Sequence, residues 1–389
     1  MMKDRIRIGM VGGGDGAFIG AVHRMAARLD GEYQLVAGAF SADAERSRAS
    51  GAALGIEPAR AYADWQAMLS AEAKRADGIE AVVIVTPNHL HARVARDCLA
   101  AGVHVLCDKP LATTLDEASE LARLARASAC LFGVTYTYSG YPLVRHARAL
   151  VAAGEIGEVR SVQVRYAQDW LSEAIETSGN KQAAWRSDPA LAGEGGAIAD
   201  IGTHAYHLAR YVSALDAQAL LADLTNAVPG RRVDDNAHVL LRYASGARGM
   251  LWASQTSPGN ANNLELAIYG SRGGLSWRQE TPDELWFAPL GDSVRVIRRG
   301  DKNLSPAAVK ATRVPMGHPE GYLEAFANLY ADFAAAIRAY RAGERGANGA
   351  NGVRASTFPT IEDGLDGMRF VHTALASSRE GGVWLPLRP

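Results

Sequence analysis

The sequence predicts an α/β chain in two parts: a doubly wound parallel sheet over residues 1–137, then an α+β region over 138–389 with a large, mostly antiparallel, open-faced sheet. Three observations carry this. Short apolar runs alternate with helix-like stretches through the first third. A glycine-rich turn joins the first run to the first helix. Beyond residue 138 the pattern changes to consecutive strand-like runs separated by short turns.

The first run, Arg5-Ile6-Arg7-Ile8-Gly9-Met10-Val11, leads into Gly12-Gly13-Gly14-Asp15-Gly16-Ala17-Phe18-Ile19-Gly20, and a helix follows over 21–29. Strand, glycine turn and helix together turn backbone N–H groups and a positive helix end toward a pyrophosphate. The spacing departs from the compact G-x-G-x-x-G. Gly12 and Gly14 fit its start, Gly20 lies further along, and Asp15-Gly16 reads as an extra turn. A second strand over 33–40 ends at Ser41, where an acidic residue commonly meets the ribose diol of NAD. Arg46 and Arg48 follow, so a 2′-phosphate is equally accommodated, and NAD and NADP both stay open; the arginines also fit a solvated helix face. The run 81–85 is apolar throughout, as a sheet covered on both faces requires, and stops at Thr86-Pro87-Asn88. The run 103–107 ends in Asp108-Lys109-Pro110, with Pro110 holding Lys109 extended at the strand end where such sheets bind ligands. Residues 131–136 close the sheet.

The second region opens with a helix over 141–153 and a strand over 159–166. An irregular segment with Asp169, Trp170, Trp185 and Arg186 comes next. Then Gly193-Glu194-Gly195-Gly196 leads into a helix through Tyr211. On that helix Asp200 and His204 stand four apart on one face. A carboxylate beside an imidazole fixes its tautomer and stabilises the imidazolium formed on proton uptake. Taken alone, the pair also fits a helix-start aspartate and a satisfied structural histidine. Strands are expected over 238–243, 247–255, 264–269, 274–278 and 284–287. A long amphipathic helix is expected over 319–340, and a mobile Gly/Asn-rich surface loop over 343–352.

With 389 residues the chain has room for two cores, and its formal net charge of −1 points to no nucleic-acid or membrane-surface partner. No signal peptide or spanning segment is evident, so a cytoplasmic protein is expected. Cys98, Cys107 and Cys130 have no metal-ligand spacing and read as buried apolar residues; no metal is expected.

The glycine loop ending in Gly20-Ala21-Val22-His23, Thr86-Pro87-Asn88, Asp108-Lys109-Pro110, Trp185-Arg186, and Gly195-Gly196 followed by Asp200 and His204 occur in one order. In this the chain resembles the Gfo/Idh/MocA family of glucose–fructose oxidoreductases and inositol dehydrogenases over nearly its whole length. The resemblance implies a Rossmann domain binding NAD, or NADP, along Gly12, Gly14, Gly20, Ser41 and Arg46. Thr86, Asn88, Asp108, Lys109, Trp185 and Arg186 complete that set. Lys109 would touch both the nicotinamide ribose and the substrate hydroxyl, with Asp200 and His204 as the polar pair at the reacting carbon and His204 as base. Asp108 stands where the family usually has Glu. Where the family often has an arginine, this chain has Thr137-Tyr138-Ser139-Gly140-Tyr141, which makes Tyr138 and Tyr141 substrate contacts suited to a sugar or polyol. Asp169, Arg186 and His318 join them; for His318 an exposed loop histidine is the alternative.

Oxidation of a secondary alcohol needs a base at the hydroxyl and a cation beside the developing negative oxygen. His204 and Lys109 supply these from different domains, so a cleft site is expected. The reading is therefore an NAD(P)-dependent dehydrogenase of a sugar, sugar derivative or inositol, paired as a homodimer or homotetramer through the second sheet. The alternatives are an NAD-dependent glycoside hydrolase working through a transient 3-keto sugar, and a non-catalytic dinucleotide-binding protein.

Overall fold

The computed structural model describes residues 5–343 and 357–387. All but Gly343 of the expected surface loop lies outside the described residues. Five parallel strands form the first sheet: β1 (Ile6–Gly12), β2 (Tyr33–Ala39), β3 (Ala81–Val85), β4 (His104–Cys107) and β5 (Phe132–Val134), in the order β2-β1-β3-β4-β5. Every residue of β3 and β4 is buried, which is why β3, and β4 after His104, read as apolar runs rather than as alternation.

The second sheet has nine strands: β6 (Val159–Ala167), β7 (Ala217–Thr225), β8 (Asn236–Tyr243), β9 (Arg248–Ser254), β10 (Asn263–Gly270), β11 (Gly273–Arg278), β12 (Glu284–Pro289), β13 (Arg295–Arg298) and β14 (Leu385–Pro386). Their order is β13-β12-β11-β10-β6-β9-β8-β7-β14, antiparallel except for the β6–β9 pair. One face is apolar. Leu241, Leu251, Leu266, Ile268 and Trp277 point into a core shared with the helices Pro142–Ala152 and Thr203–Ser213. Alternate residues face outward, so β8 alternates buried and exposed along its length.

Strand β7 is an addition to the sequence reading. Its Ala-Gln-Ala-Leu-Leu-Ala-Asp-Leu-Thr composition has no β-branched residue before the terminal Thr225, and pairing with β8 overrides that local preference. The helix Ile361–Arg379 is a second addition. The long helix runs Tyr322–Arg341, starting later than the apolar pattern, because the Glu324 carboxylate accepts from Gly321 N at 2.9 Å and fixes the first turn there.

The chain folds as two compact units, one of residues 1–137 with 326–365, the other of 138–325 with 366–389. This differs from the expected division at 137/138, because segment 326–365 returns to the first unit. Its helix packs Phe326 and Tyr330 edge-on against His23, and Tyr330 also against Tyr33. The Tyr33 hydroxyl donates to Tyr330 O at 2.8 Å. An aromatic face of this kind needs an apolar surface of its own to cover.

Candidate active site

In the first unit the loop after β1 is a cradle made by glycine. Gly12 and Gly13 have φ of +81° and +71°, and a Cβ on Gly12 would stand 2.8 Å from Val85 O. Gly20 lies in the helix Phe18–Leu29, where a Cβ would come within 2.4 Å of Gly13 Cα. Gly20 therefore brings helix and loop into contact, and Gly13, not singled out from the sequence, is the residue it meets. A Cβ on Gly14 would stand 2.7 Å from Phe40 O. The helix begins after Ala17, which has no polar side chain to cap it. Its first N–H groups are thus left for an anion. Thr86 Oγ1 is buried without a hydrogen-bond partner among the described residues. Cradle, open helix start and orphaned hydroxyl fit a dinucleotide.

At the end of β2, Ser41 Oγ accepts from Asp43 N at 3.2 Å, and the Asp43 carboxylate accepts from Arg46 N at 2.8 Å. The nearest acid is thereby engaged as a helix cap, and Arg46 is exposed.

Beyond β4, Asp108 Oδ1 accepts from Lys109 N and from Thr135 Oγ1, each at 2.8 Å. The shorter carboxylate thus shapes the backbone of Lys109, whose bond to Pro110 is cis. His91 Nδ1 stands 2.7 Å from Pro110 O and its Nε2 2.9 Å from Thr86 O. One buried ring thus ties together the two strand ends that carry Thr86, Asn88 and Lys109. A neutral imidazole has a proton for only one of these carbonyls. Burial lowers its pKa, and both carbonyls oppose that shift.

His23 accompanies this strand end, with Nδ1 2.8 Å from the Tyr330 hydroxyl and Nε2 4.0 Å from Asp108 Oδ2. Burial takes its pKa from 6.5 down to about 4, against the pull of Asp108. His104 is likewise lowered to about 4 by burial. Both are neutral in the folded chain and gain a proton on unfolding between about pH 4 and 6.5, so stability is lost as pH falls through that window. Buried Asp234 in the second unit has the opposite sign. Its pKa is raised from 3.8 to about 6 by burial, against the hydrogen bonds it accepts, so its contribution is lost as pH rises over that range. Thermal midpoints from pH 4 to 6.5 should fall less on acidification in His104→Gln than in the parent, and more in Asp234→Asn. Parallel profiles would contradict the assignment.

In the second unit the glycine-rich turn is built around Asp234. Its carboxylate accepts from Gly196 N at 2.6 Å and Ile198 N at 2.8 Å, and its carbonyl from Ala197 N at 2.8 Å. A long-range cap thus replaces a local one. A Cβ on Gly196 would lie 2.0 Å from Asp234 O, so only glycine admits this contact. Residues Ile198–Gly202 form a π turn before the α-helix Thr203–Ser213. Asp200 therefore stands on a wider turn than the expected regular α-helix, of the kind that often marks functional sites.

Asp200 Oδ2 accepts from Gln255 Nε2 at 2.9 Å and lies 3.5 Å from Arg186 Nε. The Arg186 guanidinium lies over the Trp185 ring at 4.2 Å and the Trp170 ring at 5.9 Å. His204 is buried, with the Tyr138 ring edge-on at 4.9 Å and Tyr166 at 6.4 Å. The structure thus gathers Asp200, Arg186, His204, Tyr138, Trp170 and Trp185. Tyr138 and Tyr141, read as substrate contacts, are buried at 3% and 1% exposure, and their hydroxyls accept from Asn262 Nδ2 and Gln279 Nε2. Asp169 accepts from Gly259 N at 3.3 Å. His318 is exposed, in a loop held through its backbone: buried Arg299 donates to His318 O, Val314 O and Glu320. Asp234, Gln255 and His91 escaped the sequence reading. Only Asp234 had a local cue, as one of two adjacent acids, Asp234-Asp235, just before a strand.

Two family models match the chain. Residues 6–136 match the oxidoreductase family NAD-binding Rossmann fold model, and 144–276 match the GFO/IDH/MocA C-terminal domain. An inositol dehydrogenase homologue from Azotobacter vinelandii complexed with NAD+ is 40% identical, with a TM-score of 0.94 covering 99% of this chain and 98% of that one. The same homologue complexed with NADH and myo-inositol gives 38%, a TM-score of 0.91 and the same coverage. Levoglucosan dehydrogenase of Pseudarthrobacter phenanthrenivorans is 30% identical over 322 residues, 76% of this chain and 78% of the relative. The chain belongs to the Gfo/Idh/MocA family of NAD-binding oxidoreductases.

Proposed function

We propose that this protein is an NAD-dependent dehydrogenase of a polyhydroxylated ring, a sugar, sugar derivative or inositol, acting on a secondary hydroxyl. The observation that carries the reading is Asp200 on a π turn capped by Asp234, with His204 four residues on in the helix that follows, in a chain whose relatives include an inositol dehydrogenase homologue and levoglucosan dehydrogenase. NAD, when bound, supplies the acceptor for the hydrogen leaving carbon. His204 takes the hydroxyl proton, and Asp200 favours the imidazolium that results. Lys109 places its ammonium beside the substrate oxygen and lowers the cost of the charge developing there. His318 and Arg186 bind ring hydroxyls. The tryptophans beside Arg186 favour a ring with apolar faces over a linear acid.

The test is reduction of NAD and NADP, followed at the nicotinamide absorbance, with myo- and scyllo-inositol, levoglucosan and common pyranoses. Oxidation of at least one is expected. With Asp43 engaged as a cap and Ser41 and Arg46 at the ribose end, the preference for NAD over NADP should be under about tenfold, which corresponds to about 1.4 kcal/mol. Silence on every ring alcohol, with release of an aryl aglycone instead, would favour the glycoside hydrolase reading.

The outward face of the second sheet carries exposed Leu240, Met250, Tyr269 and Trp286 on one side. A second copy covering this face accounts for apolar side chains there. Light scattering should give a multiple of the 41.3 kDa chain mass, and Trp286→Lys should reduce it; a monomeric parent would refute this pairing.

A further inference from the structure

Four side-chain amides stand one residue beyond the ends of four adjacent strands. Gln255 follows β9, Gln168 follows β6, Asn262 precedes β10 and Gln279 follows β11. The strands neighbour one another in the order β9-β6-β10-β11, and the amides bond in that order. Gln255 Nε2 donates to Gln168 Oε1 at 3.4 Å, and Gln168 Nε2 to Asn262 Oδ1 at 2.7 Å. Asn262 Nδ2 then donates to Gln279 Oε1 at 3.2 Å, and Gln279 Nε2 to the Tyr141 hydroxyl at 3.3 Å. Every amide donates in the same direction.

Two one-way groups fix that direction. An ionised carboxylate only accepts, and an indole N–H only donates. Asp200 Oδ2 takes the second Gln255 proton at 2.9 Å, and Trp170 Nε1 donates to Gln168 Oε1 at 3.0 Å. Asn262 Oδ1 also accepts from the Tyr166 hydroxyl at 2.7 Å. Tyr166 has then used its only proton, so Tyr138 donates in the Tyr138–Tyr166 bond and takes Asn262 Nδ2 on its oxygen at 3.4 Å. The ladder thus holds Asp200 through Gln255, and through Tyr138 the ring that lies edge-on to His204. Amides do not titrate near neutral pH, so this support is independent of pH.

We propose that Gln255, Gln168, Asn262 and Gln279 are positioning residues acting as one cooperative unit that orients Asp200 and the Tyr138 ring for the reaction. Their relevance to turnover rests on the function proposed above, whereas their coupling does not. Gln255 and Gln279 are three strand spacings apart, about 14 Å, a distance at which substitutions ordinarily add.

The test is a double-mutant cycle in the full-length protein with Gln255→Met, Gln279→Met and the pair, read first as thermal midpoints. The pair should lower the midpoint no further than the worse single variant; a drop equal to the sum of the two would overturn the ladder. If a methionine variant does not fold, the same cycle is run with Gln255→Glu and Asn262→Asp, which keep shape but lose a donor. In the dehydrogenase assay Gln279→Met should lower kcat about tenfold with the KM for NAD changed less than twofold, although it touches neither Asp200 nor His204. Unchanged kcat in an active parent would overturn the positioning role. A parent without dehydrogenase activity would refute the proposed function and remove the positioning role with it, while the midpoint cycle would still decide the coupling.

Discussion

Replacing His204 with asparagine, or Lys109 with methionine, is expected to lower kcat by about 10²–10⁴-fold, the range for a positioned acid–base group. NAD affinity should change by less than about threefold in both. His204→Asn keeps a polar side chain against Tyr138 but removes the group able to take a proton at neutral pH. Lys109→Met keeps an unbranched stem of similar length at the end of β4 and removes the charge; the backbone bond to Asp108 Oδ1 is unaffected. Steady-state turnover together with NAD titration separates the two effects. Both variants retaining more than about a tenth of parental kcat would remove these residues from the chemistry.

Gly196→Ala should be the most disruptive small substitution in the second unit. The new methyl would stand 2.0 Å from Asp234 O and 2.8 Å from Val233 Cγ2. Backbone cannot rotate away as a side-chain tip can, which places this overpacking at the upper end of the usual range, about 3 kcal/mol. For a domain of about 200 residues that is a fall of roughly 10 °C in thermal midpoint. The Asp234 cap would be pushed off the π turn carrying Asp200, and a displacement near 1 Å can cost about 10²-fold in rate. Gly20→Ala provides the contrast. Its methyl would meet Gly13 Cα at 2.4 Å, separating the first helix from the glycine loop, so the KM for NAD should rise much more than kcat falls. Melting curves and kinetics on the two variants check this; a Gly196→Ala protein with the parental midpoint would contradict the reading of the turn.

The first sheet was legible because burial on both faces leaves apolar runs such as 81–85 that need no partner to be recognised. The glycine loop was legible as a loop but not in its parts. Gly20 proved to be a packing glycine, and its partner Gly13 is indistinguishable in sequence from its neighbours. Strand β7 was hidden by its alanines and leucines, and the return of 326–365 to the first unit by the continuity of the helix Tyr322–Arg341. An i, i+4 spacing is the same text on an α or a π turn, so the wider turn at Asp200 could not be read. The groups that support the pair were the least visible. Asp234 lies 34 residues beyond Asp200 in sequence, and a lone Gln or Asn after a strand carries no local signal until the sheet order sets four of them side by side.

The most direct test of the central claim follows one hydrogen. A ring alcohol found active in the assay is prepared with deuterium at its reacting secondary carbon and incubated with the protein and NAD, and the nicotinamide is analysed by mass spectrometry. Oxidation of a secondary hydroxyl predicts reduced nicotinamide about one mass unit heavier, in equal amount with a keto product. Deuterium found in solvent instead, with the nicotinamide unlabelled, would contradict direct transfer and with it the roles given to His204 and Lys109.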